Sequence, residues 1–318
     1  MRLQPARFAA ADARPASTES PMTPNPALRK LGFSDRDRVV IIHADDIGLS
    51  HASCVAFSDL WQAGIISSGA VMVPCPWFPK VAAYCRANPE ADIGVHLTLT
   101  SEWDVMRWGP VSTRDAGSGL LDEEGYFPRT TPAVQQSGDP QAVRREFFAQ
   151  VTRAIAAGIV PTHADTHMGA AFHPRHLPAY VAVARQFKIP VMLPRLDEAG
   201  LRMRGFEGEA LEWAGGALRA LEEEGWPLID HVVGMPLGKP EHRLEQALAA
   251  LDGLRPGITH FIIHPSLDTA EARAISPDLP SRIGDYEAFM DERVRAHIRS
   301  SGLQVIGYRH LRALVNGG

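Results

Sequence analysis

The chain has 318 residues, 45% apolar and 22% charged, with 12 Phe, 6 Trp and 5 Tyr, which excludes disorder as its main state and allows a large buried core. A formal net charge of −5 at pH 7 is a poor electrostatic match to nucleic acid. No apolar run of roughly 18 residues occurs, so no membrane span is expected. Cys54, Cys75 and Cys85 are odd in number and lack a C-x-x-C spacing. They read as small apolar residues in a reducing, cytoplasmic setting, not as a disulfide framework or a cysteine zinc site.

Met1 to Lys30 is rich in Ala, Pro, Ser, Thr and Arg and has no continuous apolar stretch, so it makes a poor secretory signal. Residues 1–34 are expected to be a disordered tail, with Met22 as an alternative start, and 35–318 one folded domain. Arg38 to Ala44 is a short apolar run that enters Asp45-Asp46-Ile47-Gly48, a buried strand running into a turn. A helix over His51 to Gly64, a strand over Ser67 to Pro74, a helix over Phe78 to Ala87 and a strand over Ile93 to Thr100 follow. Residues 103–140 break this rhythm. A loop that long is functional or disordered, and Trp103, Trp108 and Phe127 favour a packed lid.

Alternation resumes with a helix over Gln141 to Ala157 and a strand over Pro161 to Met168. Next come a helix over His176 to Phe187, a strand over Pro190 to Arg195, a helix over Gly208 to Glu224 and a strand over Leu228 to Val233. A helix over Glu241 to Leu254, a strand over Ile258 to His264, a helix over Asp285 to Ser300 and a strand over Leu303 to Tyr308 complete the chain. Such alternation demands parallel strands with helical crossovers. A closed or nearly closed α/β barrel of seven to eight parallel strands accounts for it, with a doubly wound open sheet as the alternative. Neither G-x-G-x-x-G nor a P-loop follows the first strand.

In such folds the chemistry collects at the C-terminal strand ends. Asp45 and Asp46, His96, the stripe His163, Asp165 and His167, and His264 all fall there. Each has a bland reading, as a turn or cap residue or a satisfied core histidine. Together they form a constellation that surface polarity does not produce. His163-Ala164-Asp165-Thr166-His167 alternates, so its three polar side chains share a face, and burying them without partners is costly. His163 and His167 have Cα atoms about 13 Å apart on an extended strand, so one metal ion takes only one of them, and His167 is nearer the rim. His163 would orient or pack, and Asp165 would accept a hydrogen bond from a ligand imidazole. Asp45 and Asp46 point to opposite faces unless the chain turns, which Ile47-Gly48 permits. One carboxylate would then bind metal while the other handles protons.

His43-Ala44-Asp45-Asp46-Ile47-Gly48, Gly94-Val95-His96-Leu97-Thr98-Leu99, Pro161-Thr162-His163-Ala164-Asp165-Thr166-His167 and His264-Pro265 resemble the motifs of the YdjC-like carbohydrate deacetylases, from about Arg38 to the C-terminus. The chain departs from that pattern after His167, where Met168-Gly169-Ala170-Ala171-Phe172 stands. The resemblance implies a distorted (β/α) TIM-like barrel with one divalent metal ion on Asp46, His96 and His167. It implies Asp45 as general base and His264 as general acid. Histidine ligation favours Zn2+, and the family also allows Mg2+. The implied reaction removes an acetyl group from an N-acetylated sugar or oligosaccharide by metal-activated water. Glu102 and Arg195 are candidates to meet sugar hydroxyls. Trp103, Trp108 and Phe127 either stack on a sugar or pack the loop, and Arg282 is a candidate to orient Asp45. The alternatives are hydrolysis of another amide or ester on the same barrel, or a non-catalytic carbohydrate-binding barrel. A homodimer is compatible with the sequence.

Overall fold

The structure, a computed structural model, describes residues 24–316. Seven strands form one parallel sheet: β1 (Arg38–Ile47), β2 (Ser68–Val71), β3 (Ile93–Leu97), β4 (Ala164–Thr166), β5 (His231–Gly234), β6 (Gly257–Ile263) and β7 (Gln304–Val305). The order is β4-β3-β2-β1-β6-β5, with β7 paired to the start of β1. β1 is central because Val39, Val40, Ile41 and Ile42 are apolar on both faces, as a strand covered on both sides requires. Its pairing with β6 runs unbroken from Arg38↔Gly257 to Ala44↔Ile263.

The sheet curls into a half-barrel, and residues 191–194 come between its edges. Val191 bridges Ala164 of β4, and Pro194 bridges Ile229 just before β5. The sequence predicts a regular strand over Pro190 to Arg195. Pro190 and Pro194 lie within that stretch and cannot donate to a ladder, so only single bridges form. The helix expected over Asp285 to Ser300 is two helices, Leu279–Met290 and Glu292–Ser300, parted at Asp291, whose side chain caps the second. The tail expected to reach residue 34 is ordered in its described part. Asn25 caps a helix, Pro26–Lys30, whose Ala27 and Leu28 are buried. Met22 lies outside the described residues.

The alternate faces of β1 do different work. Val40, Ile42 and Ala44 join the large core that packs against the helices. Val39 and Ile41 join a second cluster with Ile258, Ile306, Ile229 and Met192. That cluster is closed by Leu28 and by Leu311 of the helix Tyr308–Val315. Further along the same face of β1 come His43 and then Asp45. The enclosed space is therefore apolar at its base and ionisable toward the C-terminal rim.

Space beside the ionisable layer is tight. A Cβ on Gly94 would lie 2.5 Å from the His163 ring. Gly94→Ala is expected to cost about 1–3 kcal/mol, the usual price of overpacking, measured by urea denaturation; an unchanged midpoint would show that the ring is free to move.

Candidate active site

The strand β1 does not end before its aspartates. Its register with β2 slips between Ala44 and Ile47, and Asp46 has φ of 60°, a left-handed value uncommon for a residue with a side chain. This irregularity re-aims Asp46, so that both carboxylates face His96. Asp45 Oδ2 lies 3.8 Å and Asp46 Oδ1 3.4 Å from His96 Nε2. The turn expected at Ile47-Gly48 is present, with Gly48 at φ 89° and Leu49 N–H donating to Asp46 O at 3.2 Å, and the bulge comes just before it.

Asp46 Oδ1, His96 Nε2 and His167 Nδ1 converge. Asp46 Oδ1 lies 3.1 Å from His167 Nδ1, and the two ring nitrogens are 3.3 Å apart. A triangle with these edges leaves a point about 2 Å from all three atoms, the bond length of a divalent cation to nitrogen or oxygen. The opposite atom of each group is occupied. His96 Nδ1 donates to Asp165 Oδ1 at 2.8 Å, and His167 Nε2 donates to Glu102 Oε1 at 2.9 Å. Asp46 Oδ2 accepts from Arg282 Nη1 at 2.8 Å. With their protons directed at carboxylates, the imidazoles turn lone pairs toward the common point. Asp46 Oδ1 is buried there without a hydrogen-bond partner. Two lone pairs and a carboxylate oxygen facing one another are stable only around positive charge, so the donor set fits a cation.

The field of the site agrees. Burial alone would raise the Asp46 carboxyl, but Arg282 and then His167 outweigh it and hold it well below the usual range. Burial would lower both imidazoles. Asp165 and Asp45 instead push His96 well up, and Glu102 and Asp46 push His167 up to about 9. A field that favours a proton on these rings equally favours a cation between them.

Asp45 sits beside the triad with different partners. His43 Nδ1 donates to its Oδ1 at 2.7 Å, while its Oδ2 lies 3.9 Å from His264 Nε2. Burial would raise this carboxyl, but His96, His43 and His264 together hold it well below the ordinary value. His264 keeps some exposure and is fixed through its backbone N–H, which donates to Asp285 Oδ2 at 2.9 Å.

Other residues stand elsewhere than the sequence suggested. Arg282 pairs with Asp46 at 2.8 Å and with Asp278 at 2.7 Å, whereas the hydrogen bond to Asp45 Oδ1 comes from His43. Glu102 is engaged with His167. Trp103, Trp108 and Phe127 are buried, with the Trp103 ring under Arg282 at 5.5 Å, and they pack the 103–140 segment. Arg195 bonds Glu222 at 2.6 Å and Asp230 at 3.2 Å and lines a separate cleft with Leu201, Leu211 and Leu218. His163 lies deeper, with its Nε2 2.8 Å from His43 Nε2. The sequence reading gave His43 no role, although its position two residues before Asp45 on an alternating strand put both on one face. All three cysteines are buried and free.

A profile of the family described as "YdjC-like protein" matches residues 39–300. A Thermus thermophilus protein named carbohydrate deacetylase is 36% identical over 270 residues, covering 84% of this chain and 92% of that one. A Thermoanaerobacter pseudethanolicus protein of the same name is 24% identical over 86% of this chain and all of its own length. A crystal structure from Enterococcus faecalis V583, with a provisional description as a cellobiose-phosphate cleavage protein, superposes with a TM-score of 0.71. Its 22% identity, over 86% of this chain and 99% of that one, speaks for the fold alone.

Arg282→Leu leaves Asp46 as a buried carboxylate without its counter-ion and is expected to cost about 3–5 kcal/mol at pH 7. Asp46 has a depressed folded pKa, so its pairing stabilises above the unfolded carboxyl value of about 4 and that contribution fades as pH falls. The penalty should therefore hold near its pH 7 size down to about pH 4 and shrink as pH is taken below that value in urea denaturation; a pH-independent penalty would assign it to packing.

Proposed function

The chain belongs to the YdjC-like protein family, and on that premise we propose that it is a metal-dependent hydrolase removing acetyl groups from N-acetylated carbohydrate. The observation that carries this reading is the convergence of Asp46 Oδ1, His96 Nε2 and His167 Nδ1 within 3.1–3.4 Å of one another. Membership in the same family as the two relatives supplies the carbohydrate and the acetyl group. The half-barrel together with residues 191–194 reads as a distorted (β/α) barrel, whose C-terminal rim is where such folds carry their chemistry.

One divalent cation, Zn2+ or Mg2+, would be held by Asp46, His96 and His167. Bound there it supplies Lewis acidity, which polarises an acyl oxygen and makes water more acidic. Asp165 and Glu102 keep the two imidazoles in their ligating tautomers and Arg282 fixes the carboxylate of Asp46. Asp45 is the general base. Its Oδ1 is committed to His43, which leaves Oδ2 to take the proton of the attacking water. His264 is the general acid, and its Nε2, on the far side of Asp45 Oδ2, gives a proton to the departing amine. The proton that Asp45 gains is the one His264 must recover, and 3.9 Å separates the two atoms. The products are acetate and a free amino sugar.

Asp46→Ala, His96→Ala and His167→Ala are each expected to lose bound metal, read by elemental analysis of protein purified without chelator, and to lose acetate release. Full metal content in all three variants would reject the centre. Asp45→Asn is expected to retain metal and lose turnover by about 10²- to 10⁴-fold, the usual reach of general-base catalysis. Unchanged turnover would remove Asp45 from that role. Acetate release from a panel of N-acetyl and O-acetyl sugars decides the substrate bond, and release from O-acetyl sugars alone would make the protein an esterase.

A further inference from the structure

The strand β6 ends at Ile263, and the next backbone N–H, that of His264, donates to Asp285 Oδ2 at 2.9 Å. Asp285 is buried in the helix Leu279–Met290, and its other oxygen, Oδ1, accepts from Arg243 Nη2. Arg243 is buried too and opens the helix Arg243–Asp252. Its Nη1 donates to Pro236 O at 2.8 Å and to Lys239 O at 3.2 Å. One guanidinium thus ties the loop after β5 to the carboxylate that holds the start of the loop after β6.

Three features of the chain work against stability at this point. Gly284 stands inside a helix, where glycine is the weakest former after proline, and a Cβ there would lie 2.3 Å from Arg243 Cγ. His242, directly before Arg243, has φ of 57°, a left-handed value for a residue with a side chain. Arg243 Nε is buried without a hydrogen-bond partner. Packing between the two helices calls for none of these, since apolar side chains of similar volume often replace a buried ion pair without loss. What the pair does that apolar residues cannot is hold an acceptor against the N–H of His264.

His264 needs such a hold. Its Nδ1 is buried without a hydrogen-bond partner, and its Nε2 lies 3.9 Å from Asp45 Oδ2, beyond hydrogen-bond reach. No hydrogen bond fixes the ring, so its place follows from its backbone. We propose that Asp285, held in turn by Arg243, is the positioning residue for His264, and that Gly284 is the opening that admits Arg243. This rests on the reading of His264 as the general acid. In that step the C–N bond breaks with its electron pair on nitrogen, and the proton from His264 Nε2 makes the leaving group an amine. Neither Arg243 nor Asp285 bonds Asp45, Asp46, His96 or His167, so the pair acts on the reaction through His264.

The test replaces the pair by apolar residues, Arg243→Met with Asp285→Leu, in the full-length protein with its metal bound. The double variant is expected to fold and to keep its metal content. Its kcat on N-acetylglucosamine oligomers should fall about 10²-fold with KM unchanged, as for a catalytic group misplaced by about 1 Å. Its turnover of 4-nitrophenyl acetate, counted as the part that Asp46→Ala abolishes, should stay within about twofold, because 4-nitrophenolate departs without a proton. By NMR its His264 amide should exchange with solvent about tenfold faster, one hydrogen bond's worth. Gly284→Ala, which displaces Arg243, should show the same selective loss of amide hydrolysis. Equal slowing of both substrates, or unchanged turnover of both, overturns the inference and leaves the acid reading intact. Unchanged exchange of the His264 amide overturns it whatever the activity. An unaltered protein that hydrolyses 4-nitrophenyl acetate at this site but no N-acetyl sugar overturns the reading of His264 as an acid, and the inference with it.

Discussion

Two consecutive aspartates are buried side by side at the end of the central strand, and much of the site is arranged to keep both ionised. Like charges that close, out of water, drive one another toward protonation unless each finds its own positive partner. Asp46 finds Arg282, from a helix 236 residues further along the chain. Asp45 finds His43, two residues back on its own strand. The bulge that separates the two side chains is the backbone expression of the same need. In a regular strand they would point to opposite faces, and Asp46 would lie among the helices. An aspartate at φ 60° costs conformational energy, which persists where surrounding bonds over-determine it. Here the ion pair to Arg282 does so.

The same logic extends to the imidazoles. Each of His96 and His167 has a carboxylate behind it, but the two come from different parts of the fold. Asp165 is pinned beside His96 by strand pairing, since the two are register partners of β4 and β3. Glu102 instead belongs to the start of the long insertion, and its place depends on how that segment is anchored. Trp108 Nε1 donates to Thr100 O at 2.7 Å, and Arg107 ties Ser101, Asp122 and the Phe127 carbonyl together. The insertion therefore buttresses Glu102 and, through it, His167. A segment that looks in sequence like a lid over the site is a support built into its wall.

The layout of the fold was legible where periodicity is strong. Val39 to Ile42 and Ile258 to Ile263 announced buried parallel strands, and the alternation of His163, Asp165 and His167 announced a polar face. What escaped the sequence had local causes. Pro190 and Pro194 reduced an apolar run to two bridges, and Asp291 parted one amphipathic stretch into two helices. The bulge was hidden because a left-handed position is normally signalled by glycine, and here it is filled by aspartate. Partnerships across the chain were beyond sequence reasoning altogether. Nothing near Arg282 says that its counter-ion is Asp46 and not Asp45, and Glu102 beside Trp103 looks as much like a sugar contact as a hydrogen-bond acceptor for an imidazole.

The enclosed space itself then bears on why the polar layer exists. Val39, Ile41, Ile229, Ile258 and Ile306 fill its lower part at little cost and with much buried apolar area. Directly above them His43, His163, His260, Asp165 and the Tyr308 hydroxyl occupy positions that further apolar side chains would fill with greater stability. Their hydrogen bonds limit that cost without abolishing it. Asp165 Oδ2 and His260 Nε2 remain buried without hydrogen-bond partners, although His260 Nδ1 is held by the Tyr308 hydroxyl at 2.9 Å. A chain selected only for folding has no reason to keep three histidines and an aspartate stacked beneath its rim. They are explained if the layer exists to hold the orientation and ionisation of what lies above it. On that view the lower apolar cluster supplies the stability, and the polar layer transmits rigidity from it to Asp45, Asp46 and His96.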